Sequence, residues 1–278
     1  MKRFQTMRTS VSILAAVLVV FLSVSLVQAA PERIVSLVPS VTENLFALGV
    51  GDRVVGVTAW CNYPPEAAER VVVGDAFNLN VEVLLSLEPD IVVGDSTLVH
   101  NYLDHLTELG ISVFAVAPTN LQEVMDSLVS LGEAVGAQKQ GEKIAREMQE
   151  RLDHMLAAVP TDSKPRVFVE IWNEPLSTVG PGSFIDELIT LAGGENIASD
   201  ADNPWPQFSE ELVIERDPEV LILTNFNKDE VLNRSAWQEL TAVKTGRVYE
   251  VNSDIYVRTT PRLLDALEEL IEIFHSEE

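Results

Sequence analysis

One cysteine, Cys61, stands in 278 residues, so no internal disulfide can brace this chain and its fold must rest on an apolar core. Histidine is nearly as scarce. His100, His105, His154 and His275 form no His-Glu-x-x-His motif, and the first two, five apart, do not share a helical face, so no metal centre is expected. Lysine supplies six of 19 basic residues, which face 43 acidic ones for a formal charge of −24. A surface this negative repels phosphate backbones and anionic headgroups, which argues against nucleic-acid binding and peripheral membrane attachment. It suits a cationic docking partner, or simply a solvated surface tuned to a salty habitat.

The motifs of the common enzymes are missing too. No Gly-x-Ser-x-Gly elbow and no Walker-type Gly-Lys-Ser/Thr occurs, and Gly49-Val50-Gly51 fails as a dinucleotide loop because Val54 takes the third glycine's place. Asp200-Ala201-Asp202-Asn203 lacks the glycine and distal glutamate of a calcium loop, and Cys61 has no marked base. The chain is expected not to be an enzyme and to need no cofactor.

What is present begins with a short basic segment, Met1 to Ser10, followed by an apolar run, Val11 to Val27, and small residues at Val27 and Ala29. This is the pattern of a secretory signal peptide over 1–29 and places the protein in the periplasm or another extracytoplasmic space. The apolar run is 17 residues, at the lower edge of what crosses a bilayer, so an uncleaved anchor is the alternative. No Cys stands at the expected new N-terminus to carry a lipid.

From residue 30 onward, short β-branched runs alternate with amphipathic stretches, the signature of βα units around parallel sheets. Strands are expected at Arg33–Leu37, Val54–Val57, Ile91–Val93 and Ser112–Val116, then at Arg166–Ile171, Val220–Leu223 and Arg247–Val251. Ser40-Val41-Thr42-Glu43 has the form of a helix capping box, and Gly49 the place of a left-handed helix stop. Helices follow at Val81–Leu87 and Leu98–Leu109, and then Leu121–Val135 and Lys139–Val159 run on with no strand between them. Later helices are expected at Phe184–Leu191, Glu210–Arg216, Ser235–Val243 and Arg262–Phe274. The expected fold is α/β, with two mostly parallel sheets flanked by helices in two lobes, 30–136 and 161–278, joined by one long helix within 137–160. A ligand of such lobes binds between the carboxyl ends of their strands.

The aromatic residues support that cleft. Trp60, Tyr63, Phe77, Trp172, Trp205, Phe208 and Tyr256 all fall in loops after expected strands, rather than at positions that feed a core. Any one of them could cap the core beneath its loop. Seven together, from both lobes, form the walls of a site for a large planar ligand.

These residues carry a family likeness. Arg33 through Glu43, Tyr63-Pro64-Pro65-Glu66 and Leu87-Glu88-Pro89-Asp90 resemble the periplasmic binding proteins that have a rigid connecting helix. Pro204-Trp205-Pro206-Gln207-Phe208-Ser209, with Ser253-Asp254, Arg258 and Pro261-Arg262, is similar to the cobalamin-binding receptors of ABC importers. The resemblance covers 32–275 and implies a monomeric, non-enzymatic receptor that hands cobalamin or a related corrinoid to a permease with its cytoplasmic ATPase. A ferric siderophore or haem is the alternative ligand within the class. The resemblance implies that Trp205 stacks on the corrin, that Trp60 replaces a pocket Tyr, and that Asp254 and Arg258 bond the ligand's edge. Trp60, Tyr63, Phe77, Trp172, Trp205, Asp254, Tyr256 and Arg258 are therefore the expected ligand-binding residues. Two pocket Trp of the family fall here at Ala76 and near Asp95, and Trp172 has no counterpart. Glu82 and Glu211 match the acidic pair that docks on the permease. With no His in the cleft loops, no side chain is expected to coordinate the ligand's cobalt.

Overall fold

The computed structural model describes residues 30–75, 77–160, 164–225 and 228–275. The expected leader over 1–29, Ala76 and residues 161–163 of the polar break before the second lobe lie outside the described residues.

The first lobe is built on β1 (Ile34–Ser36), β2 (Val54–Val57), β3 (Val71–Val72), β4 (Ile91–Asp95) and β5 (Val113–Val116). Their order is β3-β2-β1-β4-β5, and every pairing is parallel. Strands buried on both faces must be apolar throughout, which is why Ile34-Val35 and Val92-Val93 are consecutive and fully buried. Three helices flank this sheet: α1 (Pro39–Ala47), α2 (Val81–Ser86) and α3 (His100–Glu108).

The helix α1 does not start with a capping box. Its N-cap is Val38, with no side-chain hydrogen bond, and Pro39 takes the first helical position. Proline's fixed φ and missing N–H suit that place, so the helix begins two residues early and Ser40 lies inside it. Glu43, freed from capping, is buried. The stop at Gly49 is as expected, with φ +76.

Two consecutive helices come next, α4 (Leu121–Ala134) and α5 (Gln138–Leu156). The 19 residues of α5 span about 28 Å at 1.5 Å per residue. It is accompanied by α4, and the close approach depends on Gly141, where a Cβ would lie 2.5 Å from the Leu128 carbonyl oxygen. Leu121, Val124, Met125 and Leu128 join the second lobe's core, whereas Leu131 and Val135 join the first lobe's. Ile144 of α5 packs against both cores.

The second lobe contains β6 (Arg166–Glu170), a hairpin of β7 (Trp172–Asn173) and β8 (Leu176–Ser177), then β9 (Glu195–Asn196), β10 (Val220–Leu223) and β11 (Val248–Glu250). The main sheet has the order β11-β10-β6-β9 and is parallel throughout. Its two faces show the period of two. Val167, Val169, Val220 and Ile222 enter one core, and Phe168, Leu221 and Leu223 enter the other with Trp237. Its helices are α6 (Phe184–Leu191), α7 (Glu210–Arg216), α8 (Lys228–Leu232), α9 (Thr241–Lys244), α10 (Ser253–Tyr256) and α11 (Leu263–His275). The helix expected over Ser235–Val243 is interrupted, because Trp237 turns fully into the core after a single 3-10 turn and α9 starts only at Thr241.

Candidate ligand-binding site

In a parallel sheet all carboxyl ends share one rim, so the loops that leave it are brought together by topology alone. Trp60 and Tyr63 follow β2, and Phe77 follows β3. In the second lobe Trp172 follows β6 directly, and Trp205 lies between β9 and α7. The strand order of that sheet reverses between β6 and β10, so Trp172, which follows β6, lies at its switch point, where ligands of such sheets bind, and Trp205 lies on the neighbouring loop after β9. These five rings are between 44% and 84% exposed, although they are among the largest apolar groups in the protein. Exposed rings of this size on strand-end loops of both sheets make these loops the candidate site.

Three of the five rings sit on loops braced by hydrogen bonds. The 204–208 segment is zipped to 176–180: Thr178 N–H donates to the Pro206 carbonyl at 3.1 Å, Gly180 N–H to Pro204 at 3.0 Å, and Phe208 N–H to Leu176 at 2.8 Å. Gly180 is required there, since a Cβ would stand 2.4 Å from the Asn203 carbonyl oxygen. The Trp205 ring meets Phe184 edge-on at 5.7 Å. Trp172 Nε1 donates to the Glu174 carbonyl at 3.0 Å, which folds the indole back on its own hairpin. On the first lobe the Asp75 carboxylate accepts the N–H groups of Phe77 and Asn78, bonds that hold its carboxyl below the usual carboxylate range. Tyr102 donates its hydroxyl to the Phe77 carbonyl at 2.5 Å. Sequence reasoning gave Tyr102 no role, and its helical position offered no signal.

Not every aromatic residue belongs to the rim. Tyr256 is fully buried in the second lobe's core on α10, and burial, with the Glu269 carboxylate nearby, pushes its phenol above the ordinary range. It is therefore removed from the ligand-facing set: a one-turn helix, unseen in the sequence, points it inward. Phe208 is half-buried against the core and lies under the Arg216 guanidinium, 5.3 Å from its ring centre.

Arg258 and Asp254 lie at the junction of the lobes. Arg258 is only 7% exposed. Its Nη1 donates to Glu43 Oε1 and to Asn62 Oδ1, both at 2.7 Å, and its Nη2 to Asp254 Oδ1 at 2.6 Å. Arg262 grips the same Glu43 with Nε at 2.9 Å and Nη2 at 2.8 Å, and its guanidinium stacks 4.0 Å from the Tyr63 ring centre. Asn62 Nδ2 closes the circuit on Asp254 Oδ2 at 3.1 Å. Arg258 is thus an internal strut whose terminal nitrogens are engaged by protein, while Asp254 remains partly exposed beside Trp60 and Asn62. Glu43, Asn62 and Arg262 complete this cluster, and nothing in the sequence marked that they would meet there. Glu43 was hidden by its resemblance to a capping residue.

Glu82 and Glu211 occupy equivalent places. Each is exposed in the first turn of a short helix, capped by Asn80 in one lobe and Ser209 in the other. Hydrogen bonds from its own backbone N–H and from Ser209 hold the Glu211 carboxyl below the usual range.

A family model described as "Periplasmic binding protein" matches residues 34–255. The chain belongs to the periplasmic binding protein family. A vitamin B12-binding protein of Vibrio cholerae is 32% identical to this family member, over 86% of this chain and 87% of its own. The crystal structure of the periplasmic vitamin B12-binding protein of Vibrio cholerae superposes with a TM-score of 0.78 at 30% identity, covering 88% of this chain and 96% of the other. An uncharacterised ABC transporter substrate-binding lipoprotein of Bacillus subtilis is 36% identical over 87% of this chain and 79% of its own. A periplasmic haem-binding protein of a Roseiflexus species superposes with a TM-score of 0.80 at 28% identity, covering 88% of this chain and 98% of the other.

Proposed function

We propose that this protein is an extracytoplasmic receptor that captures cobalamin or a related corrinoid between its lobes and presents it to an ABC importer, without catalysing a reaction. The observation that carries this reading is the rim of exposed aromatic rings, Trp60, Tyr63, Phe77, Trp172 and Trp205, contributed by both sheets. A corrin is a broad apolar disc edged with amides. Indole and phenol faces supply its apolar contact, while Asp254 can accept from its amide N–H groups. Vitamin B12-binding and ABC transporter substrate-binding relatives support the same reading.

Charge distinguishes this ligand from the alternative. Haem and most siderophores carry carboxylates or other anionic groups, and their sites are expected to offer unpaired cations. Here the two guanidinium groups nearest the rim are consumed by Glu43 and Asp254. A neutral chelate edge therefore fits better. Titration of residues 30–278 with cyanocobalamin, cobinamide, haemin and a ferric siderophore, followed by Trp fluorescence, tests the proposal. Saturable one-to-one binding of a corrinoid supports it, and saturation by haemin alone overturns it.

Delivery would use Glu82 and Glu211, one per lobe, as acidic contacts for cationic groups on the permease. Such pairs steer encounter more than they add affinity. The connecting helix α5, packed along α4, favours a small closure on binding.

A further inference from the structure

We propose that Glu43 is a positioning residue: one carboxylate of the first lobe that sets the spacing of the two lobes at the base of the cleft and aims the ligand-facing groups beside it. This inference deepens the receptor reading and rests on it for what the cleft holds.

Glu43 lies on α1, in the first lobe, while Arg258 and Arg262 lie between α10 and α11, in the second. The side chain of Glu43 is 4% exposed, and both of its oxygens accept from guanidinium groups across the lobe junction. Two cations on a single buried carboxylate would be unbalanced, and Asp254 supplies the second negative charge through Arg258. The four groups form a neutral set, with Asn62 bonding both Arg258 and Asp254.

Two arms lead from this set to the rim. Through Arg262 the carboxylate holds a guanidinium over the Tyr63 ring, 4.0 Å from its centre. Through Arg258 it fixes Asp254, and with it the loop that carries Trp60, whose carbonyl lies 3.5 Å from Arg258 Nη2. The neighbouring Asn44 adds a further bond between the lobes, from Nδ2 to the Thr259 carbonyl at 3.0 Å. A bidentate Arg–carboxylate pair holds angle as well as distance, which a single point contact cannot do. Partly satisfied buried networks are unstable, so loss of the one shared acceptor should release both arms together.

The test measures the lobes directly and needs no ligand. Spin labels on Glu108→Cys in the first lobe and Glu239→Cys in the second, both exposed positions, report the interlobe distance by electron–electron double resonance, and the buried Cys61 does not compete for label. Glu43→Gln is expected to broaden or shift that distribution and to weaken cyanocobalamin binding at least tenfold. Ile189→Val, a core change in the second lobe, serves as the control for simple destabilisation and should leave the distribution unmoved. If Glu43→Gln does not fold, Arg262→Lys keeps the charge and removes the fork, and is expected to broaden the distribution in the same direction. An unchanged distance distribution in the folded variant overturns the proposal, as does a change that Ile189→Val reproduces. If the unaltered protein binds no corrinoid, the receptor reading fails while the distance measurement still decides the role of Glu43.

Discussion

Glu43 and Arg258 meet at 2.7 Å across 215 residues of sequence, both buried, and their ion pair ties the first helix of one lobe to the last loop of the other. The pair explains why the guanidinium that the family resemblance assigns to the ligand's edge is oriented inward instead. Under the proposed function the exposed rings are then the main attraction for a ligand.

Trp205 should dominate affinity on the second lobe. Truncation to Ala removes a large stacking face worth roughly 1.5–3 kcal/mol when covered, so Kd for cyanocobalamin should rise about 10- to 100-fold. Its loop is pinned by backbone bonds to 176–180 that the change does not touch, so the melting temperature should stay within about 2 °C. Fluorescence titration and calorimetry check both halves, and unchanged affinity would place the ligand elsewhere.

Glu82 and Glu211 should matter for delivery but not for capture. Glu82→Ala and Glu211→Ala, singly and together, should leave corrinoid affinity unaltered while slowing association with the importer in proteoliposomes. The deficit should shrink as salt is raised, because exposed charges interact through a screened field. A loss of uptake that is independent of salt would count against docking by these charges.

The carboxyl of Asp217 is held below its ordinary value of 3.8, first by the Thr241 backbone N–H, then by the Thr241 hydroxyl and by Arg166. A depressed folded value gives stability that is present above the unfolded value and lost as pH falls through the folded one. Asp217→Asn keeps a side chain that tolerates the left-handed backbone at φ +41, and removes the charge. Its melting temperature should therefore be lower than that of the parent at pH 7. The gap should narrow as pH drops below about 4. A difference that stays constant from pH 7 to pH 3 would show that charge is not the cause.

Glu170 ends β6 completely buried, in a bidentate pair with Arg234 at 2.6 and 2.7 Å, while the Arg234 guanidinium lies 4.5 Å from the Trp237 ring centre. Desolvation pushes the Glu170 carboxyl upward in spite of its partner. Breaking such a pair from one side leaves a bare buried charge, so Glu170→Met or Arg234→Leu alone should cost about 3–5 kcal/mol in urea unfolding. The double variant should recover most of that loss. Additive losses in the double variant would mean that each side chain acts through packing alone.

The sequence by itself determined the alternation of strands and helices, because hydrophobic period and turn residues are local properties. Val54–Val57, Val220–Leu223, Phe184–Leu191 and Glu210–Arg216 lie where their patterns place them, and Gly49 stops its helix with positive φ. It also marked Trp60, Tyr63, Phe77, Trp172 and Trp205 as rim residues, since large rings outside both helical and alternating registers have no local core to enter. Two-residue strands such as β3 and β9 escaped it, being too short to show a period. Tertiary structure alone decided the fate of the charged and buried polar groups. Whether Glu43 caps its own helix or crosses to Arg258 and Arg262, and whether Tyr256 faces ligand or core, depends on partners more than 200 residues away or on a one-turn helix with no periodic signal. Burying a charge costs so much that its position follows its partner, and only the folded chain brings that partner within reach.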